Sequence, residues 1–177
     1  MPFLRALPGA HNLTIVGAGT IDGSGAQWWP AEPPAALLAD SDRDGVGYHG
    51  PPRRPYVIHM PSSTGVLLQD FLILNGPAWH ADLGGSDYTI FGLTLRTNPK
   101  WMNTDGLDIH ATNVHIKGVD ITNGDDSICM KSPARNVLVE DSIVRRGNGL
   151  VVGTSDHVDI ENITFKNCTG KCNLTLT

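Results

Sequence analysis

The sequence predicts an all-β chain wound as a right-handed, single-stranded parallel β-helix, and three observations predict it. Turn formers are abundant, with 20 glycines and 12 prolines in 177 residues, while β-branched residues recur in short runs. Segments of one nine-residue pattern repeat along the chain. Two acidic stretches, NTDGLD at 103–108 and NGDDSI at 123–128, recur about one repeat apart.

Composition is the first support. So much glycine and proline among short β-branched runs argues for many strands and turns rather than helices. Hydrophobic residues are 40% and charged residues 18%, an ordinary balance for a folded chain with one sizeable core. The expected organisation is a single partial β-helix domain over 1–177, with coils clearest at 87–165. A formal charge of −5 disfavours nucleic acid and anionic membrane as partners. No apolar run approaches 18 residues, so no transmembrane helix is expected. The N-terminus lacks the basic and apolar regions of a signal peptide. Four glycosylation sequons, at Asn12, Asn162, Asn167 and Asn173, point the other way, to a secretory origin. Cys129, Cys168 and Cys172 leave at least one thiol unpaired, and Cys168 and Cys172 have no second pair to complete a zinc site.

The repeat is the second support. DYTIFGLTL (87–95), NVHIKGVDI (113–121), NVLVEDSIV (136–144) and HVDIENITF (157–165) superimpose without gaps. Their starts are 26, 23 and 21 residues apart. NLTIVGAGT from Asn12 fits the same template, and GVLLQDFLIL (65–74) fits it loosely. Each unit alternates apolar and polar, bends, and alternates again, which is strand, turn, strand. A period of 20–26 residues indicates a solenoid, and the β-rich composition without a leucine–asparagine pattern selects a parallel β-helix. A β-sandwich with closely spaced strands is the competing fold. GAGTID (17–22) resembles a dinucleotide-binding glycine loop only in passing, because strand and turn signals follow it instead of a helix.

Register supplies the third support. The later strands of successive coils align as GLDIHA (106–111), SICMKS (127–132), GLVVGT (149–154) and CNLTLT (172–177). The preceding residues are Asp105, Asp126, Asn148 and Lys171, so Asp105 falls beside Asp126 about one strand spacing away, with Asp125 adjacent. Three such carboxylates raise the proton affinity of at least one, which suits general acid–base chemistry. Turn-building Asx bonds are the structural alternative, and a divalent-ion site is a rival use of the same cluster. No lysine or arginine is expected among the acids where register makes them converge.

The run of GAGTIDGSGAQWW, NGPAWH, NTDGLDI, NGDDSICMKS and GNGLVVGT resembles polygalacturonases and related pectinases of glycoside hydrolase family 28, over about 17–165. The resemblance implies the pectin-lyase-like right-handed β-helix and hydrolysis of α-1,4-linked galacturonan, or of rhamnogalacturonan, with inversion. It implies Asp125 as general acid, and Asp105 and Asp126 as the pair that holds and activates water. Asn148, Asn103, Lys131 and Trp101 then become candidate substrate-binding residues. It further implies a secreted monomer that acts on a pectic polysaccharide without metal or cofactor. Inverting chemistry needs roughly 6.5–9.5 Å between acid and base.

The departures from the family pattern are specific. The usual Gly-His-Gly is Gly147-Asn148-Gly149, and asparagine carries neither charge nor transferable proton. Ser127 replaces the cysteine that follows the two acids, and no partner cysteine lies near 145. The Arg-Ile-Lys segment that grips substrate carboxylates should fall on Asn173-Leu174-Thr175. Family members are about twice as long, so a truncated or shortened chain, weak or inactive on polygalacturonate, is expected. A non-catalytic β-helix is the alternative. Among other residues, Trp28, Trp29, Trp79 and Trp101 are candidates for sugar stacking. Lys131, Arg145, Arg146 and Lys171 could form a basic rim, and His110 and His115 are read as structural.

Overall fold

The structure, a computed structural model, describes residues 1–29, 54–153 and 159–170. Its strands form two parallel sheets that share each turn of a solenoid. One row of the first sheet stacks β1 (Leu4–Arg5), β4 (Ile58–Gln69), β6 (Ala81–Phe91), β8 (Leu107–Lys117), β10 (Asp126–Met130) and β13 (Gly149–Val152). The far halves of β4, β6 and β8 form a second row with β2 (His11–Val16), β11 (Ala134–Glu140) and β14 (Ile160–Lys166). The second sheet stacks β3 (Thr20–Asp22), β5 (Leu72–Leu74), β7 (Thr94–Arg96), β9 (Asp120–Thr122), β12 (Ile143–Val144) and β15 (Thr169–Gly170). The expected parallel β-solenoid is thus the observed fold.

The core consists of columns, because parallel register places like positions of successive coils over one another. Ile58, Ala81, Leu107, Ile128 and Leu150 form one such line. Ile15, Leu68, Ile90, Ile116, Val139 and Phe165 form another. Ile73, Leu95, Ile121 and Val144 line the second sheet. The central members are fully buried, and each such aliphatic side chain contributes about 1.5–3 kcal/mol.

The bends are set by left-handed residues in register. Asn12, Gly65, Asp87, Asn113, Asn136 and Asn162 occupy equivalent turn positions with φ between 53° and 69°. Asparagine and aspartate tolerate this region better than other side chains with a Cβ. Here their side chains also bond from coil to coil. Asn113 Nδ2 donates to Asp87 Oδ1 (3.0 Å), Asn136 Nδ2 to Asn113 Oδ1 (3.1 Å) and Asn162 Nδ2 to Asn136 Oδ1 (2.8 Å). Asn167 Nδ2 donates to Asp141 Oδ1 (2.7 Å) at the next turn.

This ladder corrects one alignment. Val137 pairs with Ile163, so Asn136 stacks on Asn162 and not on His157. The repeat therefore continues as NITF from Asn162, 26 residues on rather than 21. VDI at 158–160 carries the same alternation as ITF, and a period of two cannot tell them apart; the left-handed turn residue decides. Among the described residues, the sequon asparagines are also turn residues; Asn173 lies outside them. Asn12, Asn162 and Asn167 all sit at positive φ, and the amide nitrogens of Asn162 and Asn167 are spent on the neighbouring coil.

Asn136→Ala should cost about 1–2 kcal/mol in urea denaturation, from an alanine forced left-handed and two lost ladder bonds. Asn136→Gly should cost less, because glycine accepts the backbone. Equal losses for the two variants would show that the left-handed turn is not the constraint.

Candidate active site

Asp105 and Asp125 lie on loops that lead from the second sheet into the first, and Asp126 opens β10. Residues 97–106 join β7 to β8, 123–125 join β9 to β10, and 145–148 join β12 to β13. Ile128 pairs with Leu107, which sets Asp126 beside Asp105; on the next coil a bulge pairs Asp126 with Gly149, one residue past the expected Asn148, whose side chain still reaches it. Coil-to-coil contact there is close. A Cβ on Gly106 would lie 2.2 Å from the Ser127 carbonyl oxygen, and one on Gly124 2.2 Å from that of Trp101. Only glycine fits between such backbones, which is why glycines accompany the acids.

One oxygen from each of Asp105, Asp125 and Asp126 lies within 4.8 Å of the others. That is closer than the usual separation in an inverting pair. The same oxygens could hold a divalent cation. Asp105 is 4% exposed and Asp126 9%, while Asp125 is the most open of the three.

Asp125 is held by N–H donors. The backbone N–H of Asn103 donates to Oδ2 (2.7 Å) and that of Asp126 to Oδ1 (3.0 Å). Asn103 Nδ2 stands 3.4 Å from Oδ2. Asn148 Nδ2 spans Asp125 Oδ1 (3.1 Å) and Asp126 Oδ1 (2.9 Å). Burial raises the proton affinity of Asp125, and the bonds from Asn103 oppose it. Asp105 has no such donors, and its buried Oδ1 lacks any hydrogen-bond partner. Burial foremost, then Asp108 and Asp125, push its pKa well above the carboxylate range.

Lys131 corrects the expectation that no cation stands among the acids. Its Nζ lies 3.0 Å from Asp108 Oδ1 and 3.7 Å from Asp105 Oδ2, and 4.6 Å above the Trp79 ring. Burial works against its charge, but Asp108 and Asp105 outweigh it and keep the ammonium protonated. Lys131 follows Met130, which pairs with Ile109, so it is the long side chain that reaches Asp108 and Asp105 on the neighbouring coil.

Sequence reasoning missed several residues that build the site. Asp108 is fully buried and pairs in register with Asp82; burial pushes its pKa up to about 7, with Lys131 opposing. Asp108 is the last residue of NTDGLD, and its alternation with Leu107 and Ile109 marked it as outward-facing. Asn123 Nδ2 lies within 3.0 Å of the Thr104, Asp125 and Asp126 carbonyl oxygens, and so fixes both acid loops. Ser127, where the family has cysteine, reaches Asn123 Oδ1 (2.9 Å) and the Arg146 carbonyl (3.1 Å) by hydrogen bonds. His80 is wholly buried. The Asp105 carbonyl can only accept, so the neutral ring carries its proton on Nδ1 and Nε2 accepts from the Thr97 hydroxyl (2.7 Å), whose oxygen takes the Gly76 N–H. His80 Nδ1–H then donates to the Asp105 carbonyl (2.8 Å). Burial lowers this imidazole to about 4.

Other expected site residues fall elsewhere. Trp101 is 9% exposed and stacks on Trp29 at 5.4 Å, so its ring packs the loop and is not offered to a sugar. Arg145 grips Asp120 through Nε (2.8 Å) and Nη2 (2.6 Å). His110 faces Asp82 and His115 faces Glu140, in keeping with structural roles. Lys171, Cys172 and Asn173-Leu174-Thr175 lie outside the described residues.

The family model for glycosyl hydrolases family 28 matches residues 6–173. The chain belongs to that family. It is 32% identical over 146 residues to a polygalacturonase of Cryptomeria japonica, covering 80% of this chain and 27% of the relative. A probable rhamnogalacturonase B of Aspergillus oryzae is 29% identical over 115 residues, 64% of this chain and 21% of that protein. The chain thus spans about a quarter of the length of these curated relatives. Two solved structures share the fold. An exopolygalacturonase from Thermotoga maritima has a TM-score of 0.69 at 21% identity, over 93% of this chain and 46% of that one. A polygalacturonase from Erwinia carotovora has 0.63 at 22%, over 95% and 56%.

His80 should remain a neutral Nδ1–H imidazole at pH 5, readable from its ring-nitrogen NMR shifts; an imidazolium signal there would refute the assigned chain of bonds. The sign for stability follows. As pH falls from about 6.5 to 4 the unfolded chain binds a proton at His80 that the folded chain refuses, so stability is lost. Asp108 acts oppositely: between pH 7 and 4 the folded chain binds a proton that the unfolded chain does not, so stability is gained. Asp108→Asn removes that gain, and its denaturation midpoint should fall more steeply below pH 7 than that of the wild type.

Proposed function

We infer that this chain carries the catalytic centre of a glycoside hydrolase that cuts pectic polysaccharide by general acid–base catalysis. The observation that carries this reading is the convergence of Asp105, Asp125 and Asp126 on adjacent coils, two of them with raised proton affinity. Asp125, the most open of the three, gives its proton to the glycosidic oxygen as the bond to the sugar carbon breaks. Water held between Asp105 and Asp126 attacks that carbon, and its proton passes to Asp126. Lys131 and Asn148 hold the charge of the acids, and Asn103 fixes Asp125. The family and its polygalacturonase and rhamnogalacturonase relatives support a pectic backbone with galacturonosyl linkages; a secreted monomer rests on the family resemblance alone. Inversion rests on the family resemblance alone, since the carboxylate spacing does not select it. Proton NMR of the first anomer released reads the outcome directly.

A second reading, a β-helix that binds polysaccharide without cutting it, is favoured by Asn148. It bridges Asp125 and Asp126 but cannot supply a proton or a positive charge. Losing one transition-state contact of this kind costs about 3–4 kcal/mol, or two to three decades of rate.

Reducing-sugar release from polygalacturonate should accordingly be weak. Asn148→His should raise it, by up to about 10²-fold. Asp125→Asn should abolish it, because an amide has no acidic proton to give. Cleavage that persists in Asp125→Asn would overturn the assignment, and binding without cleavage in the Asn148→His variant would select the second reading.

A further inference from the structure

Trp79 is among the tryptophans expected to stack on sugar, and with Tyr56 it lines a groove of about 460 Å3 beside the acids. Its ring is already engaged. Tyr56 stacks on it, with centroids 4.8 Å apart and planes within 5°. The Lys131 ammonium stands 4.6 Å from its centroid. The electron-rich face of an indole attracts such a cation, and a ring held in this way is spent on the protein itself.

Register explains why these groups meet. Ile58 pairs with Ala81 and Ala81 with Leu107, so two residues earlier Tyr56, Trp79 and Asp105 follow one another from coil to coil. The backbone ladder extends into this stretch: Val57 N–H donates to the Trp79 carbonyl (3.0 Å) and His80 N–H to the Asp105 carbonyl (2.8 Å). Trp79 is therefore the counterpart of Asp105 one coil earlier. Lys131 leaves the end of β10 one coil later, with its N–H on the Ile109 carbonyl (2.9 Å). Its side chain runs back across the coil of Asp105 and Asp108. The ammonium ends 3.0 Å from Asp108 Oδ1, 3.7 Å from Asp105 Oδ2 and above Trp79, and the side chain is only 13% exposed.

A lysine ammonium is a compact, strongly hydrated charge on a flexible four-carbon stem. Here two carboxyl groups and an indole face stand in for most of its water. Without the indole, water takes that place and the stem is free to carry the charge outward. The acids would register the loss. Burial raises the proton affinity of Asp105 and Asp108, and Lys131 opposes it at both. At Asp125 the opposition comes instead from the N–H groups of Asn103 and Asp126. The other titratable groups that feel the ammonium are Tyr56, Asp82 of β6, which His59 and His110 flank, and Cys129 of β10.

We propose that Trp79 is a positioning residue for the acid cluster, which holds the Lys131 ammonium against Asp105 and Asp108, and not a platform for sugar. The proposal rests on the acid–base reading above and adds to it the residue that fixes the cluster's cation.

Carboxyl NMR titration of the folded variants tests it. Lys131→Met should raise the proton affinity of Asp105 and Asp108 about tenfold. Trp79→Leu should raise both about threefold or more, while Trp79→Phe, which keeps a flat ring, should leave both within about twofold of the wild type. Asp125 is the control and should hold in every variant. If Trp79→Leu fails to fold by circular dichroism, Trp79→Met, which keeps apolar bulk without a ring, is read the same way. Unchanged Asp105 and Asp108 in Lys131→Met, or in the variant that lacks the ring, overturn the proposal. So does a rise that Asp125 shares, which marks a loosened loop and not a displaced cation. The pectic reading is judged separately, by sugar release from the Asp125→Asn protein, and survives any of these results.

Discussion

Parallel register between coils is the constraint on which the rest depends. Each backbone N–H of one coil is satisfied by the next, about 4.8 Å away, so a residue's neighbours are the equivalent residues above and below it. Apolar positions thereby become the aliphatic columns of the core. Left-handed asparagines become a ladder of side-chain bonds. Two acidic loops about 21 residues apart become one cluster. A slip of one residue would turn Asp105 and Asp126 to different faces, and with them the core.

The same constraint concentrates charge that the fold must then manage. Asp82, Asp105, Asp108 and Asp126 crowd one side of the first sheet, and Asp108 is wholly excluded from water. Burial dominates the raised proton affinity of Asp82, Asp105 and Asp108, and neighbouring carboxylates add to that of Asp105 and Asp108. Lys131 is the counterweight, anchored over Trp79 between Asp105 and Asp108. Asp125 is managed differently, by N–H donors from both flanking loops. Asn148 fits this pattern as a bridge between two carboxylates, where a histidine could also have carried charge.

Neutral His80 links this chemistry to the scaffold. It sits in the loop before β6, bonds the Asp105 carbonyl through Nδ1–H, and is locked by Thr97 and Gly76. Gly76 and His80 belong to the NGPAWH stretch, so that stretch supports the acid loop without touching the acids' carboxyl groups. Tyr56 and Trp79 extend the same side of the molecule into the neighbouring groove.

The β-solenoid, the pairing of Asp105 with Asp126 and the position of Asn148 beside them were legible in the sequence by itself, because period-two alternation and a 20–26-residue repeat determine which residues stack. Where alternation was ambiguous the reading slipped, as with the coil aligned on His157, until the left-handed Asn162 settled it. The tertiary structure alone decided the environment of each acid. Lys131 returns to Asp105 only when β10 lies against β8, Asp82 meets Asp108 only across β6 and β8, and Trp101 turns inward because Trp29, 72 residues earlier, covers it. Sequence spacing specifies which backbone positions stack; burial and side-chain direction depend on what else packs there, and that sets the charges.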